Sequence, residues 1–417
     1  MASISRRRLL QASAGVVPAV ALGARPAEAA SSSPVTTGVV PSQLAGFDKA
    51  LQKWIAERGI TCAQLAVARK GKILLARGYG TYTRDGVTTK VQPTSLFRIA
   101  SLSKNITAAA VARLAQDGRV NLGTPVTELL GLTTKADPRL ANVTLWRLLQ
   151  HSGGWDRNVS IDQLFVDAPI SAALDKPLPV GPDDIIEYAT SRTLDFAPGS
   201  RVAYSNYGYL LLGRVIEEVT GQSYESYVKQ TLLSPLGITR FQLGRSLASQ
   251  AQPTEVTYDS KDTRKTVLSD DGTIVPRPYG GFNMENQLSN GRWLASAVDL
   301  VKWGFVLDAA GPVLNSTSLS RVVAVPETGV TSSGSWYGLG WWVRKNAVGG
   351  YNTWHNGSLA GTWSYMARVL DGISYCAIFN RRAEEGTPEF DSIDPVLYDA
   401  ATAVTSWPTT DLTPDYF

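Results

Sequence analysis

The chain has 417 residues, 44% of them apolar and 18% charged, which is enough to bury a substantial core and excludes both a disordered segment and a small disulfide scaffold. Its formal charge of +4 is concentrated at the start, where Arg6, Arg7, Arg8 and Arg25 face only Glu28. The remainder is close to neutral and shows no basic stripe, which argues against nucleic acid as a partner.

The first stretch, SISRRRLLQASAGVVPAVALGARPAEAA, combines a basic start, a modest apolar run and small residues around Ala27, Glu28 and Ala29. Residues 1–29 therefore read as an export signal. The segment Ser5 to Leu10 resembles the twin-arginine type, which carries folded proteins to the periplasm or the cell exterior. The alternative is an uncleaved anchor, but the apolar run falls short of the ~20 residues a span needs. No other segment is long and apolar enough to cross a bilayer, so no stable span is expected once the signal is removed. Residues 30–42, rich in Ser, Thr, Pro and Val, read as a linker.

A single domain is expected over 43–417. Leu44, Phe47, Leu51, Trp54 and Ile55 recur at helical spacing up to Gly59, which predicts an amphipathic helix with a glycine stop. CAQLAVARKGKILLARGYG then reads as two strands joined at Lys70-Gly71. Near the other end, TWSYMARVLDGISYCAIFN places Asp371-Gly372 between two apolar runs, a strong hairpin signal. Helical patterns, such as 102–116 and 207–219, and Gly/Pro-rich loops dominate between them. The architecture expected is α+β: an antiparallel sheet built from both termini, flanked by helices, with a helical subdomain inserted at roughly 115–290. Cys62 and Cys376 are the only cysteines and both fall in strand patterns. They can form a bridge in an exported chain, or each can be a small buried apolar residue. His151 and His355 are the only histidines, too few with two cysteines for a structural zinc site of the usual kind.

The chemistry centres on FRIASLSKNITAAAVARLAQDG, residues 97–118. Ser101 and Lys104, three apart at a helix start, project from one face, so the lysine amine can reach the serine hydroxyl. A free serine needs a neighbouring base, and lysine serves only when neutral, a state favoured by burial and nearby cations. The unpaired N–H of Ser101 in the first turn can help hold an oxyanion. Alone, S-x-x-K is also an ordinary pair on a solvated turn. Tyr204-Ser205-Asn206 follows Pro198-Gly199 and precedes a helix ending at Gly221. Tyr204 can shuttle a proton between Ser101 and a leaving group and Asn206 can offer its amide, or the tyrosine is a cap or core residue. His355-Asn356-Gly357 precedes an apolar strand, where glycine permits close approach to a ligand; the alternative is a plain strand-entry turn.

The ordered set S-x-x-K, Y-S-N and H-x-G resembles the serine β-lactamase and D-Ala-D-Ala carboxypeptidase superfamily, in its class C related branch, over nearly the whole mature chain. LLQHSGGW, LSPLGITRFQLG, ASAVDLVKW and YGLGWWV are of the same flavour. The resemblance implies an α/β domain from both termini, an all-helical domain and a cleft between them. It makes Ser101 the acylated nucleophile, Lys104 its activator and Tyr204 the general acid/base. Asn206 would orient substrate, His355, Asn356 and Gly357 would line the edge strand, and the N–H of Ser358 would join that of Ser101 in the oxyanion hole. No cofactor or metal is implied; the partner is a small-molecule or peptide substrate.

Dedicated class C enzymes usually carry lysine where His355 stands and threonine next, so His355 and Asn356 point toward carboxypeptidase and esterase members. A histidine titrating near pH ~6.5 would read the charge of an anionic substrate only under mildly acidic conditions. Arg292 stands where relatives often have a second glycine; it either binds a substrate carboxylate or is a surface arginine. Trp155, Trp341, Trp342 and Trp354 can line an apolar acyl pocket or belong to the core. The function expected is an acyl-enzyme hydrolase acting on an amide of D-amino-acid peptide or β-lactam type, or on an ester. The alternatives are a carboxylesterase or transacylase with little peptidase activity and a non-catalytic penicillin-binding module. An α/β-hydrolase is disfavoured because no G-x-S-x-G elbow occurs.

Overall fold

The computed structural model describes residues 34–417. The export signal read at 1–29 lies outside the described residues.

Two tight hairpins supply the middle of the main sheet. Strand β1 (Thr36–Val39) precedes helix α1 (Ala45–Glu57), and β2 (Cys62–Arg69) and β3 (Lys72–Arg84) follow. Lys70 and Gly71 both hold positive φ, 50° and 77°, the geometry a two-residue turn needs to match the strand twist. The second hairpin joins Thr362–Val369 to Ile373–Phe379 through Asp371 and Gly372, also at positive φ. Ile373–Phe379 pairs directly with β2, with Cys376 opposite Ala66. The nine-stranded antiparallel sheet runs β1, β3, β2, Ile373–Phe379, Thr362–Val369, Tyr351–Leu359, Trp342–Lys345 and Ser335–Tyr337, with β4 (Val87–Lys90) on the extension of β3. It is thus built from both ends of the described chain.

One correction concerns the linker: Thr36–Val39 pairs with β3 residues Ala76 to Tyr79 as an edge strand. Its Ser, Thr, Pro and Val content gave that segment the composition of a linker, yet backbone pairing needs no run of apolar side chains.

Helices cover both faces. On one, Phe47, Leu51, Trp54 and Ile55 of α1 are buried with Ile393 and Leu397 of helix Ile393–Thr402. On the other lie helix Ala297–Gly304 and α2 (Ser103–Gln116). Between the short strands Phe97–Arg98 and Trp293–Ala295 the chain forms mainly helices, among them Leu145–Leu149 and Asn206–Thr220, together with a two-stranded ribbon, Thr263–Lys265 with Ile274–Pro276. Helix α2 is buried on nearly every side, polar positions Ser103, Lys104, Asn105 and Thr107 included, so these groups must find partners inside the protein.

Cys62 and Cys376 are both free and buried. Because Cys376 faces Ala66 in the register, Cys62 lies further along the neighbouring strand, and its thiol donates to the Thr81 carbonyl at 3.2 Å. Among the described residues no helix is long and apolar enough to cross a membrane.

Candidate active site

Ser101 sits in a 3-10 turn, Ala100–Leu102, that leads into α2. Ala100 holds φ 48° although it carries a Cβ, a left-handed conformation the surrounding bonds impose. Those bonds are specific. The Ile99 N–H donates to the Trp293 carbonyl at 3.0 Å, while Thr362 Oγ1 and Ser364 Oγ donate to the carbonyls of Arg98 and Ile99 at 2.8 and 2.7 Å. Two sheets thereby fix the turn beside the strand Tyr351–Leu359. The fit is close: a Cβ at Gly357 would fall on the Ile99 carbonyl and the Ser364 hydroxyl and 3.0 Å from the Ser101 nitrogen.

Lys104, one turn on, is fully buried. Its Nζ lies 3.1 Å from Ser101 Oγ, 2.7 Å from Asn206 Oδ1 and 2.9 Å from the Asn290 carbonyl. Burial pulls the amine well below its ordinary value; the Asp162 carboxylate pulls it up and the Arg157 charge down again. A neutral amine has two N–H donors and one lone pair. Asn206 and Asn290 present oxygens that only accept, so they take both donors and leave the lone pair directed at the Ser101 hydroxyl.

Asn206 opens the helix Asn206–Thr220, capped by the Ser205 hydroxyl accepting from the Gly208 N–H at 3.1 Å. Its amide nitrogen donates to Asp162 Oδ2 at 2.5 Å, so the whole side chain is committed to Lys104 on one side and Asp162 on the other. Burial pushes Asp162 up, and the amides of Asn206 and Leu164 oppose that by bonding its charged form. The loop that carries Asp162 holds Ile161 at φ 63° with its side chain 62% exposed at the cleft.

Tyr204 is half-buried over the pair, with Lys104 Nζ 4.8 Å and the Arg157 guanidinium 5.0 Å from its ring centre. Burial raises its phenol, while the Ser101 hydroxyl and the Arg157 charge draw it back. Its backbone lies between residues bonded to His151, whose ring centre is 4.3 Å from that of Tyr204.

A cleft of about 680 Å³ opens over this group, and Ser101, Tyr204, Asn206, Asn356 and Ser358 all reach it. Beyond Trp354 the strand Tyr351–Leu359 pairs only with Thr362–Val369, so its other edge is open where Gly357 meets Ser101. The Ser101 N–H donates to no carbonyl among the described residues.

His355 departs from expectation. It does not line the cleft and is 1% exposed. Its Nδ1 donates to the Asn356 carbonyl at 2.5 Å, which leaves Nε2 to accept from the Tyr337 hydroxyl at 2.9 Å. Burial above all pulls the imidazole down to about 3, with a protonated Lys104 adding to the effect, so the ring is neutral at ordinary pH. The alternation along a strand explains it: His355 has the parity of Thr353 and Gly357, which face the packed layer, and Asn356 and Ser358 have the other.

Arg292 is also absent from the cleft; its Nε donates to the Gly244 carbonyl at 2.9 Å. Of the four tryptophans, Trp342 lines the cleft and stacks on Trp354, whereas Trp155 and Trp341 are core residues. Trp363, Phe165 and Phe282 complete the aromatic wall. Sequence reading missed Asp162, Arg157 and the Asn290 carbonyl. Only Asp162 left a trace, as an aspartate at the cap of the turn Gln163–Phe165. Among the described residues no group of three or more metal-ligating side chains converges.

Comparison with known proteins bears on the family and the fold. The model of the family described as Beta-lactamase matches residues 47–392. Protein flp of Staphylococcus aureus (strain N315) is 28% identical over 194 residues, 46% of this chain, and the match spans only 37% of that longer protein. Penicillin-binding protein 4 of Amycolatopsis lactamdurans is 27% identical over 304 residues, 69% of this chain and 72% of the relative. The solved D-amino acid amidase of Ochrobactrum anthropi SV3, complexed with L-phenylalanine amide, superposes with a TM-score of 0.66 at 21% identity, covering 88% of this chain and all of that one.

Proposed function

The chain belongs to the Beta-lactamase family, and from that premise we propose that it is an exported serine hydrolase that cleaves an amide or ester through an acyl-enzyme on Ser101. The observation that carries the reading is Lys104, buried and bonded to Ser101, Asn206 and Asn290 so that a neutral amine turns its lone pair to the serine. Lys104 takes the Ser101 proton as Oγ attacks the carbonyl carbon. The oxyanion forms at the open strand edge, where the N–H groups of Ser101 and Ser358 receive it. Tyr204, over both side chains, relays that proton from Lys104 to the leaving group as the scissile bond breaks, and the reverse sequence with water releases the acid.

For substrate, we favour a D-amino-acid amide or peptide. The likeness to a D-amino acid amidase and to a penicillin-binding protein supports that class. An ester substrate is the second reading, supported by the aromatic wall of Trp342, Trp363, Phe165 and Phe282 and by a neutral His355 in place of a fixed cation. Intact-mass analysis after a fluorophosphonate should show one adduct on the parent and none on Ser101→Ala; an equal adduct on both would end the assignment. Turnover of D-phenylalanine amide, a D-Ala-D-Ala peptide, a p-nitrophenyl ester and a chromogenic cephalosporin, side by side, ranks the substrates. Export is supported by the Arg6-Arg7 start, and the double substitution Arg6→Lys, Arg7→Lys should retain the protein in the cytoplasmic fraction.

A further inference from the structure

His151 lies outside the group that handles the proton, yet it holds the segment that carries Tyr204 at two points. Its backbone carbonyl accepts from the Ala203 N–H at 2.8 Å, and its Nδ1 accepts from the Ser205 N–H at 3.2 Å. The two amides that flank Tyr204 therefore end on one residue. Its ring is in contact with Tyr204, Tyr337 and Tyr209, at centroid distances of 4.3, 4.4 and 5.1 Å, and only 2% of the residue is exposed. His151 itself adopts φ 57°, a conformation uncommon for a residue with a side chain, just after the helix Leu145–Leu149. An Nδ1 that accepts must be unprotonated, so the ring proton is on Nε2, which has no partner among the described residues. The ring serves as an acceptor and a spacer, and it does not reach the cleft.

We propose that His151 is the positioning residue for Tyr204: its carbonyl and Nδ1 fix the backbone on both sides of the tyrosine so that the phenol stays aimed at Ser101 and the leaving group. The proposal rests on Tyr204 acting as the acid/base. It predicts that the Nδ1 acceptor, rather than the imidazole as such, is what matters. Asparagine tolerates the left-handed backbone and presents Oδ1 near the position of Nδ1, whereas glycine keeps the backbone free of strain and removes the acceptor.

The test compares His151→Asn and His151→Gly on two esters of one acid, p-nitrophenyl butyrate and ethyl butyrate, reading kcat/KM. The p-nitrophenolate leaves without a proton and ethoxide does not, so a misplaced acid harms the second substrate selectively. His151→Gly should lose roughly 10²-fold or more on the ethyl ester and less than about 10-fold on the p-nitrophenyl ester, in line with a mispositioned proton donor. His151→Asn should stay within about 5-fold of the parent on both if the acceptor is kept. In a Tyr204→Phe background His151→Gly should add no further selective loss. Equal losses on the two esters overturn the proposal, and so does a folded His151→Asn that itself loses roughly 10²-fold or more on the ethyl ester, which decides the matter even if the glycine variant fails to fold. A Tyr204→Phe enzyme as active as the parent on both esters overturns the acid/base reading as well, whereas the other two outcomes leave that reading standing.

Discussion

The side-chain oxygen of Asn206 lies 2.7 Å from Lys104 Nζ. Since the amide nitrogen of the same residue is bonded to Asp162, the asparagine cannot flip without breaking both contacts. It joins the Lys104 amine to the Asp162 carboxylate while keeping the two groups apart.

That link sets the sign of a pH effect. Activity should rise with pH as Lys104 loses its proton. Asp162→Asn removes the one charge that raises Lys104, so the acid limb of kcat/KM should move to lower pH. Asn206→Asp sets a carboxylate against the amine and should move the limb up, by roughly one to three units for an opposite charge in contact. Limbs that stay in place, or move together, would remove Lys104 from the role of base.

Tyr204→Phe should bind substrate with little change in KM and lower kcat by roughly 10² to 10⁴, the loss expected of a positioned acid/base. Steady-state kinetics on D-phenylalanine amide checks it. An unchanged kcat would reduce Tyr204 to a packing residue.

His355 gives a stability prediction. Its folded-state value is depressed to about 3 from 6.5, so the stability that rests on a neutral ring is complete above the unfolded value and is lost as pH falls from about 6.5 toward 3. Replacing it with glutamine should remove one proton from the acid unfolding slope, about 1.4 kcal/mol per pH unit within that window. Denaturant titrations at several pH values measure this. Meanwhile KM for a carboxylate-bearing substrate should be unaffected by His355 between about pH 5.5 and 8.5, a range that brackets the ordinary imidazole value. Parallel slopes for the parent and the glutamine variant would show that the ring is protonated in the fold.

Gly357→Ala tests the contact between the edge strand and the turn that carries Ser101. The added methyl meets the Ile99 carbonyl and the Ser364 hydroxyl, neither of which is the free end of a flexible side chain. Overpacking of this kind costs about 1–3 kcal/mol. The rate of fluorophosphonate labelling should fall well beyond what that lost stability accounts for, because the strand edge moves away from Ser101. Labelling at the parental rate would separate the strand from the oxyanion site.

Much of this was legible in the sequence because it rests on local rules. Lys70-Gly71 and Asp371-Gly372 announce their turns by residue type, and Ser101 and Lys104 share a face through helical spacing alone. Tyr204 and Asn206 stood out by residue type, but only the resemblance tied them to Ser101, since nothing local joins a loop after Pro198 to a helix a hundred residues earlier. Arg157 was invisible for the same reason, and Asp162 showed only as a cap: what they do at the cleft exists only once two distant loops meet over Lys104. His355 misled for a different reason. Strand alternation gives two faces but does not say which one receives the helical layer, and the histidine has the buried parity. Thr36–Val39 was lost because an edge strand with one neighbour needs no apolar signature.

The pairing of Arg69 with Ile373 places an early strand of the chain beside a late one at the middle of the sheet. During synthesis β2 therefore emerges long before its partner, with one edge open and an apolar run waiting for a neighbour the ribosome has not yet made. The turn that carries Ser101 depends on the same late arrivals, Thr362 and Ser364. A chain released before residue 362 would lack both the seal on β2 and the bonds that aim Ser101. Such a fragment should aggregate rather than persist as a half-active enzyme, and the complete protein should refold slowly for a structure so rich in helices.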